Sequence, residues 1–189
     1  SFDEDMDQSV IPSLALSPDV TSSLAPVEVS AGVVGQWDDA RTFIAEYTIT
    51  DAGIDEDAVS IDVSGAKDVA GNVQATYTAE TEFNIDTLNP TAAYSSSIIS
   101  PNLTDGVSSD ADRIVEYTVD FSEPVQSVVA TDIDVTGGRL ITETVQLNAE
   151  GTQAVFRVEA TDNSEESLVV SVLGTVKDLE GNALVVSES

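Results

Sequence analysis

The chain has 189 residues, of which 35 are acidic and only 6 are basic, so its formal net charge is −29 at pH 7. Nucleic acid and anionic membrane surfaces are therefore disfavoured as partners, because both require clustered lysine or arginine, whereas cations are favoured. The chain has no cysteine and no histidine, which excludes disulfides and thiolate metal sites. With 41% hydrophobic residues it can still bury two modest cores.

The first half of the chain is predicted to form a series of short strands. Alternation of apolar and polar side chains predicts strands at 13–17, 27–33, 42–50, 59–65 and 76–85. In the third of these, Phe43, Ala45, Tyr47 and Ile49 share one face, which we expect to point into a core. An acidic loop is predicted at 51–57.

The second half repeats this plan after an opening section that the first half lacks. Strands are predicted at 92–99, 114–121, 133–135, 141–147, 154–160 and 168–173. A long acidic turn region, which includes Asp110 and Asp112, is predicted at 100–112, and Glu150 with Gly151 is expected to form a hairpin turn. Helical periodicity is missing, so we expect an all-β fold. No apolar stretch reaches the ~18 residues of a membrane-spanning helix.

Two pairs of matching segments indicate an internal duplication. Residues 2–6 (FDEDM) match 121–125 (FSEPV), and residues 67–72 (KDVAGN) match 177–182 (KDLEGN). The spacing of roughly 110 residues is the size of one β-sandwich domain. Residues 86–90 separate the copies and end in a proline, which favours an extended linker.

The duplication predicts two domains. The first, 1–88, is expected to lack its N-terminal strands, and the second, 89–189, is expected to have a shortened last strand. We therefore expect the chain to be a piece of a longer protein. A sandwich without its opening strands should have an unpaired edge, receive a strand from another chain, or be the less stable domain.

The motifs Phe-x-Glu-x-Met/Val and Lys-Asp-x-x-Gly-Asn, followed by Ile-Asp-Thr-x-x-Pro-Thr at the junction, resemble bacterial immunoglobulin-like repeats. These are tandem extender modules of large secreted Gram-negative adhesins of the repeats-in-toxin type. The resemblance implies two Greek-key sandwiches end to end, a spacer role in cell adhesion and biofilm formation, an extracellular location and structural Ca²⁺ at domain junctions. Neighbouring repeats of the same chain would be its partners, with the surface ligand left open. Glu180 departs from the small residue usual in the family.

Oxygen ligands on loops at one pole of a sandwich suit calcium better than zinc or copper. In such a fold the loops after the second, fourth and sixth strands lie where the chain enters, so Glu123 and Asp178 should lie beside the incoming linker. The candidate calcium ligands are Asp86, Asn89, Glu123, Asp178, Asn182, Asp55, Asp57, Glu4 and Asp68.

Other interpretations remain open. Asp86 could simply cap a turn, and Gly71 and Gly181 could simply supply left-handed turn residues. The acidity could be a solvation device of a surface-layer or secreted protein from a salt-adapted organism. A carbohydrate- or ligand-binding module would need exposed aromatic residues, which are scarce here. Catalysis is disfavoured because histidine and cysteine are absent and no carboxylate pair stands out.

Overall fold

The computed structural model describes residues 1–75, 77, 80–100, 114–161 and 167–189. The all-β expectation is confirmed: strands make up 51% of the described residues, which contain no α-helix, only a 3-10 turn at Ala130–Asp132. The predicted acidic turn region at 100–112 and the start of the predicted strand at 76–85 lie largely outside the described residues.

Most of the described strands in the first half have two to five residues, whereas several in the second half have eight to ten. In chain order they are β1 (Ser13–Ser17), β2 (Leu24–Pro26), β3 (Glu28–Ser30), β4 (Val33–Val34), β5 (Gln36–Trp37), β6 (Phe43–Ile44), β7 (Tyr47–Ile49), β8 (Asp55–Ser64), β9 (Phe83–Asp86), β10 (Ala92–Ser100), β11 (Ile114–Phe121), β12 (Ile133–Thr136), β13 (Gly138–Leu147), β14 (Gln153–Ala160) and β15 (Val169–Val172). The chain divides into two compact units, Ser1–Leu88 (unit 1) and Asn89–Ser189 (unit 2).

Unit 2 has a well-filled core between two sheets. One sheet has the antiparallel order β10-β11-β14-β13, and the other pairs β12 with β15. The alternation along β11 turns Tyr117, Val119 and Phe121 inward, and Tyr117 stacks on Phe156 of β14 with ring centroids 5.8 Å apart. Because both sheets contribute to one buried cluster, unit 2 is consistent with a β-sandwich.

Unit 1 is built from smaller pieces. Its described strands form one sheet of order β1-β8-β9 and three two-stranded ribbons, β2-β7, β3-β4 and β5-β6. Four residues, Val20, Leu24, Val59 and Ile85, form its buried cluster. Trp37 is not among them; its ring packs against Phe2 and Phe43, with centroids 5.4 Å away in each case.

The expected core face of the predicted strand at 42–50 is not buried. Phe43, Ala45 and Tyr47 are only half-buried, and Ile49 is exposed. A strand's apolar face is buried only when another layer covers it. The inward face of β6 and β7 lines an open groove instead.

The predicted acidic loop at 51–57 is wrong at its C-terminal end. Asp55 and Asp57 lie in β8, which begins at Asp55 and pairs with β9. Aspartate is a poor strand former, so the sequence favoured a loop. Pairing with the last strand of unit 1 overrides that preference.

Candidate metal centre

Asp178 organises the loop that follows β15. Its side chain is fully buried, and Oδ1 accepts hydrogen bonds from the backbone N–H groups of Gly181 (2.6 Å) and Asn182 (2.8 Å). Its Oδ2 accepts a third hydrogen bond from Nδ2 of Asn182 at 2.8 Å. Gly181 has a backbone φ of +102°, which residues other than glycine rarely adopt. The Asp-x-x-Gly-Asn motif is therefore a self-capping loop closed around one carboxylate.

The same loop occurs in unit 1 around Asp68. Its Oδ1 accepts hydrogen bonds from the N–H groups of Ala70 (2.9 Å) and Asn72 (2.7 Å), and its Oδ2 accepts one from Nδ2 of Asn72 (2.6 Å). The hydrogen bond from the Asn72 side chain is the main cause that holds the pKa of Asp68 below its usual 3.8, against the opposing effect of desolvation.

Each loop also contacts the other repeated segment of its own unit. Met6 forms an isolated antiparallel bridge with Asp68, and Val125 forms the equivalent bridge with Asp178. Met6 and Val125 are both buried. The correspondence between the two pairs of sequence motifs thus extends to their backbone pairing.

This bridge brings Glu123 close to Asp178. Glu123 lies two residues before Val125, and one of its carboxylate oxygens lies within 4.8 Å of an oxygen of Asp178. Negative charges on two carboxylates that lie this close repel each other. A cation held between the two carboxylates would convert this repulsion into attraction.

Asp178 retains a site through which it could bind a cation. A carboxylate has about four lone-pair directions, two on each oxygen. Within the described part of the chain, two N–H donors take those of Oδ1 and one donor takes one of Oδ2. One direction of Oδ2 remains, so Asp178 can serve both as the loop cap and as a ligand through a single oxygen.

The chain that leads into unit 2 is anchored near Glu123. The N–H of Thr91 donates to Oγ of Ser122 at 2.9 Å, and the N–H of Ser122 donates to the carbonyl of Thr91 at 3.0 Å. The N–H of Val185 donates to the carbonyl of Pro90 at 2.9 Å. Thr91 and Ser122 were not among the residues that the sequence pattern predicted for the site. Their only sequence signals are a hydroxyl residue after Pro90 and another directly before Glu123.

Asp86 ends β9 of unit 1. Its Oδ1 accepts a hydrogen bond from the N–H of Leu88 at 2.8 Å, so the alternative interpretation of Asp86 as a turn cap describes part of its role. The next residue, Thr87, is buried; its hydroxyl accepts from the N–H of Ile54 at 3.0 Å and pairs with Oγ of Ser23 at 2.9 Å. The backbone on both sides of Asp86 is therefore fixed within unit 1.

The remaining candidate calcium ligands lie at several places in the two units. Asn182 belongs to the Asp178 loop, and Asn89 is half-buried at the start of unit 2. Asp57 and Glu4 are exposed, and Asp55 lies opposite Asp86 across the pairing of β8 with β9. Within unit 2 the structure therefore joins Glu123, Asp178 and Asn182, and within unit 1 it joins Asp55 with Asp86.

Comparison of the chain with protein-family models, with curated proteins and with solved structures gave no match in any of the three. No helix within the described ranges has the length and apolar character needed to cross a membrane.

Proposed function

We propose that this chain is a calcium-stiffened spacer of a bacterial cell-surface or secreted adhesin, built from two tandem immunoglobulin-like sandwiches. The carboxylate pair of Glu123 and Asp178, held within 4.8 Å in unit 2, carries the proposal. The repeated Asp-capped loop and its repeated bridge support the tandem arrangement. The resemblance of the motifs to immunoglobulin-like repeats supplies the spacer role.

The donor set of the pair suits calcium. It consists of carboxylate oxygens, with the amide oxygen of Asn89 or Asn182 as a further potential donor, and calcium accepts six to eight oxygens in a flexible geometry. Magnesium requires near-ideal octahedral geometry and gives up its waters reluctantly. One of the two carboxylates is fixed by its own loop, which restricts the ligand geometry before any ion binds.

The covalent chain makes Asp86 the ligand that unit 1 would contribute. Asn89 follows Asp86 by only three positions, a span of at most about 11 Å. Pro90 and Thr91 are bound to unit 2 beside Ser122, next to Glu123 in the chain. In this proposal, calcium coordinated by Asp86 together with Glu123 and Asp178 limits hinging at the linker. A spacer needs such a limit, because its reach depends on how freely successive domains bend.

Isothermal titration with CaCl₂ tests the proposal, with MgCl₂ and NaCl of equal ionic strength as controls. We expect calcium alone to bind with measurable heat and to raise the melting temperature of unit 2. A hundredfold excess of calcium over Kd should add about 2.7 kcal/mol to the free energy of unfolding. The Glu123→Gln variant removes one charge without touching the cap of the Asp178 loop, and it should weaken calcium binding by at least about tenfold.

Glu180→Gln is the matched control, because Glu180 is an exposed carboxylate in the same loop as Asp178. It should leave calcium affinity within about twofold, since an exposed charge outside the ligand set contributes little. Equal losses of calcium affinity in Glu123→Gln and Glu180→Gln would show that calcium binding depends only on the overall charge of the chain. The proposed site would then be wrong.

The net charge of −29 favours a second candidate function, an acidic surface-layer or secreted domain of a salt-adapted organism. Self-repulsion in such a chain is relieved by any salt, because screening depends on ionic strength rather than on the identity of the cation. NaCl would then stabilise the protein as well as calcium does at equal ionic strength. The titration above therefore separates the two functions.

A further inference from the structure

The chain leaves unit 1 through Thr87, a residue that is firmly held by that unit. Thr87 is buried, and its N–H donates to the carbonyl of Ile54 at 2.6 Å. Its hydroxyl accepts from the N–H of Ile54 at 3.0 Å and pairs with Oγ of Ser23 at 2.9 Å. Buried polar groups are costly to leave unpaired. Thr87 therefore fixes the first end of the linker.

The chain enters unit 2 through a second anchor. The N–H of Thr91 donates to Oγ of Ser122 at 2.9 Å, and the N–H of Ser122 donates to the carbonyl of Thr91 at 3.0 Å. These two hydrogen bonds form a reciprocal pair. The carbonyl of Pro90 accepts from the N–H of Val185 at 2.9 Å. Pro90 and Thr91 are thus bound to two different segments of unit 2, and they fix the second end of the linker.

Only Leu88 and Asn89 lie between the two anchors. The N–H of Leu88 donates to Oδ1 of Asp86 at 2.8 Å, which restricts the backbone of Leu88. The ring of Pro90 fixes its own φ near −65° and restricts Asn89 to extended conformations. Whatever further contacts these two residues make, bending between the units is limited to their few backbone torsions.

Each anchor is the neighbour of a proposed calcium ligand in the chain. Thr87 directly follows Asp86, and Ser122 directly precedes Glu123. When two ligands of one ion lie on separate units, the effective concentration of one at the other falls as the flexible chain between the units lengthens. The fall follows roughly the −3/2 power of the number of flexible residues. Anchors that shorten the flexible chain should therefore strengthen binding of the shared ion.

We propose that Ser122 is a positioning residue of the linker. With Thr87 as the opposite anchor, it confines bending between the units to the two residues that separate the anchors. It thereby keeps Asp86 within reach of Glu123 for a shared calcium ion. This last step rests on the proposed calcium site, whereas the confinement of bending holds with or without the ion. The Ser122 hydroxyl acts on the backbone of the linker and does not need to touch calcium.

Amide hydrogen exchange of the full chain in chelator tests the anchor. Ser122→Ala removes the acceptor of the Thr91 N–H at an exposed position, so unit 2 should stay folded, with a melting temperature within about 2 °C of the parent chain. Exchange at Thr91 should become about threefold faster or more, because one hydrogen bond that protects this amide is lost. Ser122→Thr keeps the acceptor oxygen and should restore the parent rate.

Thr175→Val is the matched control for Ser122→Ala. It also removes a hydroxyl hydrogen bond of an exposed residue of unit 2, in this case the one to Oδ1 of Asp132 at 2.8 Å. Exchange at Thr91 should not change in this variant. Equal rates at Thr91 in Ser122→Ala and in the parent chain, or equal acceleration in the control, would overturn the role of Ser122.

Backbone order parameters from ¹⁵N relaxation test the confinement of bending. In the parent chain, Thr87 and Thr91 should be as ordered as the adjoining strands β9 and β10. In Ser122→Ala the order parameter of Thr91 should fall, while that of Thr87 should not change. Disorder that extends into Thr87 or Thr91 of the parent chain would overturn the two anchors.

Calcium titration of the same variants tests the step that depends on the calcium site. Release of Thr91 extends the flexible chain from two residues toward four, so Ser122→Ala should weaken calcium binding by about threefold. Ser122→Thr and Thr175→Val should match the parent chain. Equal affinity of Ser122→Ala and the parent would overturn the positioning of the ligands. A parent chain that binds no calcium would refute the calcium site and this step with it, while the measurements in chelator still decide the confinement of bending.

Discussion

Asp55 lies directly opposite Asp86 in the antiparallel pairing of β8 with β9. Opposite residues of an antiparallel pair point to the same face with Cβ atoms about 5 Å apart, and like charges so placed are destabilising. Asp86 is also the residue that unit 1 would contribute to the proposed calcium site. The last strand of unit 1 therefore carries a charge pair whose repulsion a bound cation would relieve.

Asp55→Asn should stabilise unit 1 when calcium is absent. Removing one of two opposed charges should add about 0.5 kcal/mol, or roughly 3 °C in melting temperature for a unit of this size. Differential scanning calorimetry in chelator measures the change. Asp57→Asn is the control. It makes the same substitution on the same strand, but Asp57 lies within the register shift between Glu56 and Val59, where the pairing with β9 is irregular. An equal gain in both variants would assign the effect to net charge rather than to the pair.

Asp178→Ala should destabilise unit 2 by about 3 kcal/mol or more, because three N–H donors would lose their shared acceptor in a buried site. Urea unfolding without calcium measures this loss, and Glu180→Ala on the exposed part of the loop should cost less than about 0.5 kcal/mol. Asp178 therefore cannot be removed to test calcium binding alone, whereas Glu123→Gln can. A stable Asp178→Ala variant would mean that the loop does not depend on its cap.

Sequence patterns predicted β11 correctly, because Ile114–Phe121 alternates cleanly and buries one face. They placed Asp55 and Asp57 in a loop, because local propensity does not reveal a pairing with residues about 30 positions away. They also predicted burial of Phe43 and Tyr47. A strand's periodicity shows which side chains share a face, but not whether another layer covers that face.

The candidate site was predictable in its residue types and only partly in its roles. The doubled Lys-Asp-x-x-Gly-Asn motif indicated Asp68 and Asp178 as candidate ligands, since both occur at the same position of the repeat. Both prove to bind their own loop through three hydrogen bonds. An aspartate that caps a loop and one that binds metal have the same sequence pattern, and only the groups around the folded carboxylate, such as Glu123 beside Asp178, separate the roles.

Unit 1 should unfold before unit 2. Among the described residues, its buried cluster has four members and that of unit 2 has thirteen. Burial of apolar surface is the main source of folding free energy. Urea unfolding should show two transitions, and limited proteolysis should cleave unit 1 first. Val59→Ala should lower only the first transition and Val172→Ala only the second, each by about 2 kcal/mol. Earlier cleavage of unit 2 would contradict this order.

Acid should destabilise unit 1 through Asp68. Its folded pKa lies below its usual 3.8 because of the hydrogen bonds from Asn72. A depressed folded pKa contributes stability that is present above about pH 3.8 and is lost as the pH falls through the folded value. Asp68→Asn should therefore be less stable than the parent chain at pH 7, and the difference should shrink below pH 3.8. Chemical unfolding at a series of pH values measures it, and a pH-independent difference would exclude a contribution from ionisation.

Calcium should lengthen the particle in solution if it limits hinging at the linker. A freely hinged pair of domains samples bent arrangements, so its average maximum dimension is shorter than that of a stiffened pair. Small-angle X-ray scattering in millimolar calcium should give a longer maximum dimension than scattering in chelator at equal ionic strength. Glu123→Gln should abolish most of the lengthening, because coordination through Glu123 is lost while Asp178 still caps its loop. Glu180→Gln should retain it. If calcium binds with Glu123-dependent affinity and the maximum dimension does not change, the ion stabilises unit 2 alone. If calcium neither binds nor lengthens the particle, the second candidate function, an acidic surface-layer or secreted domain of a salt-adapted organism, replaces the spacer.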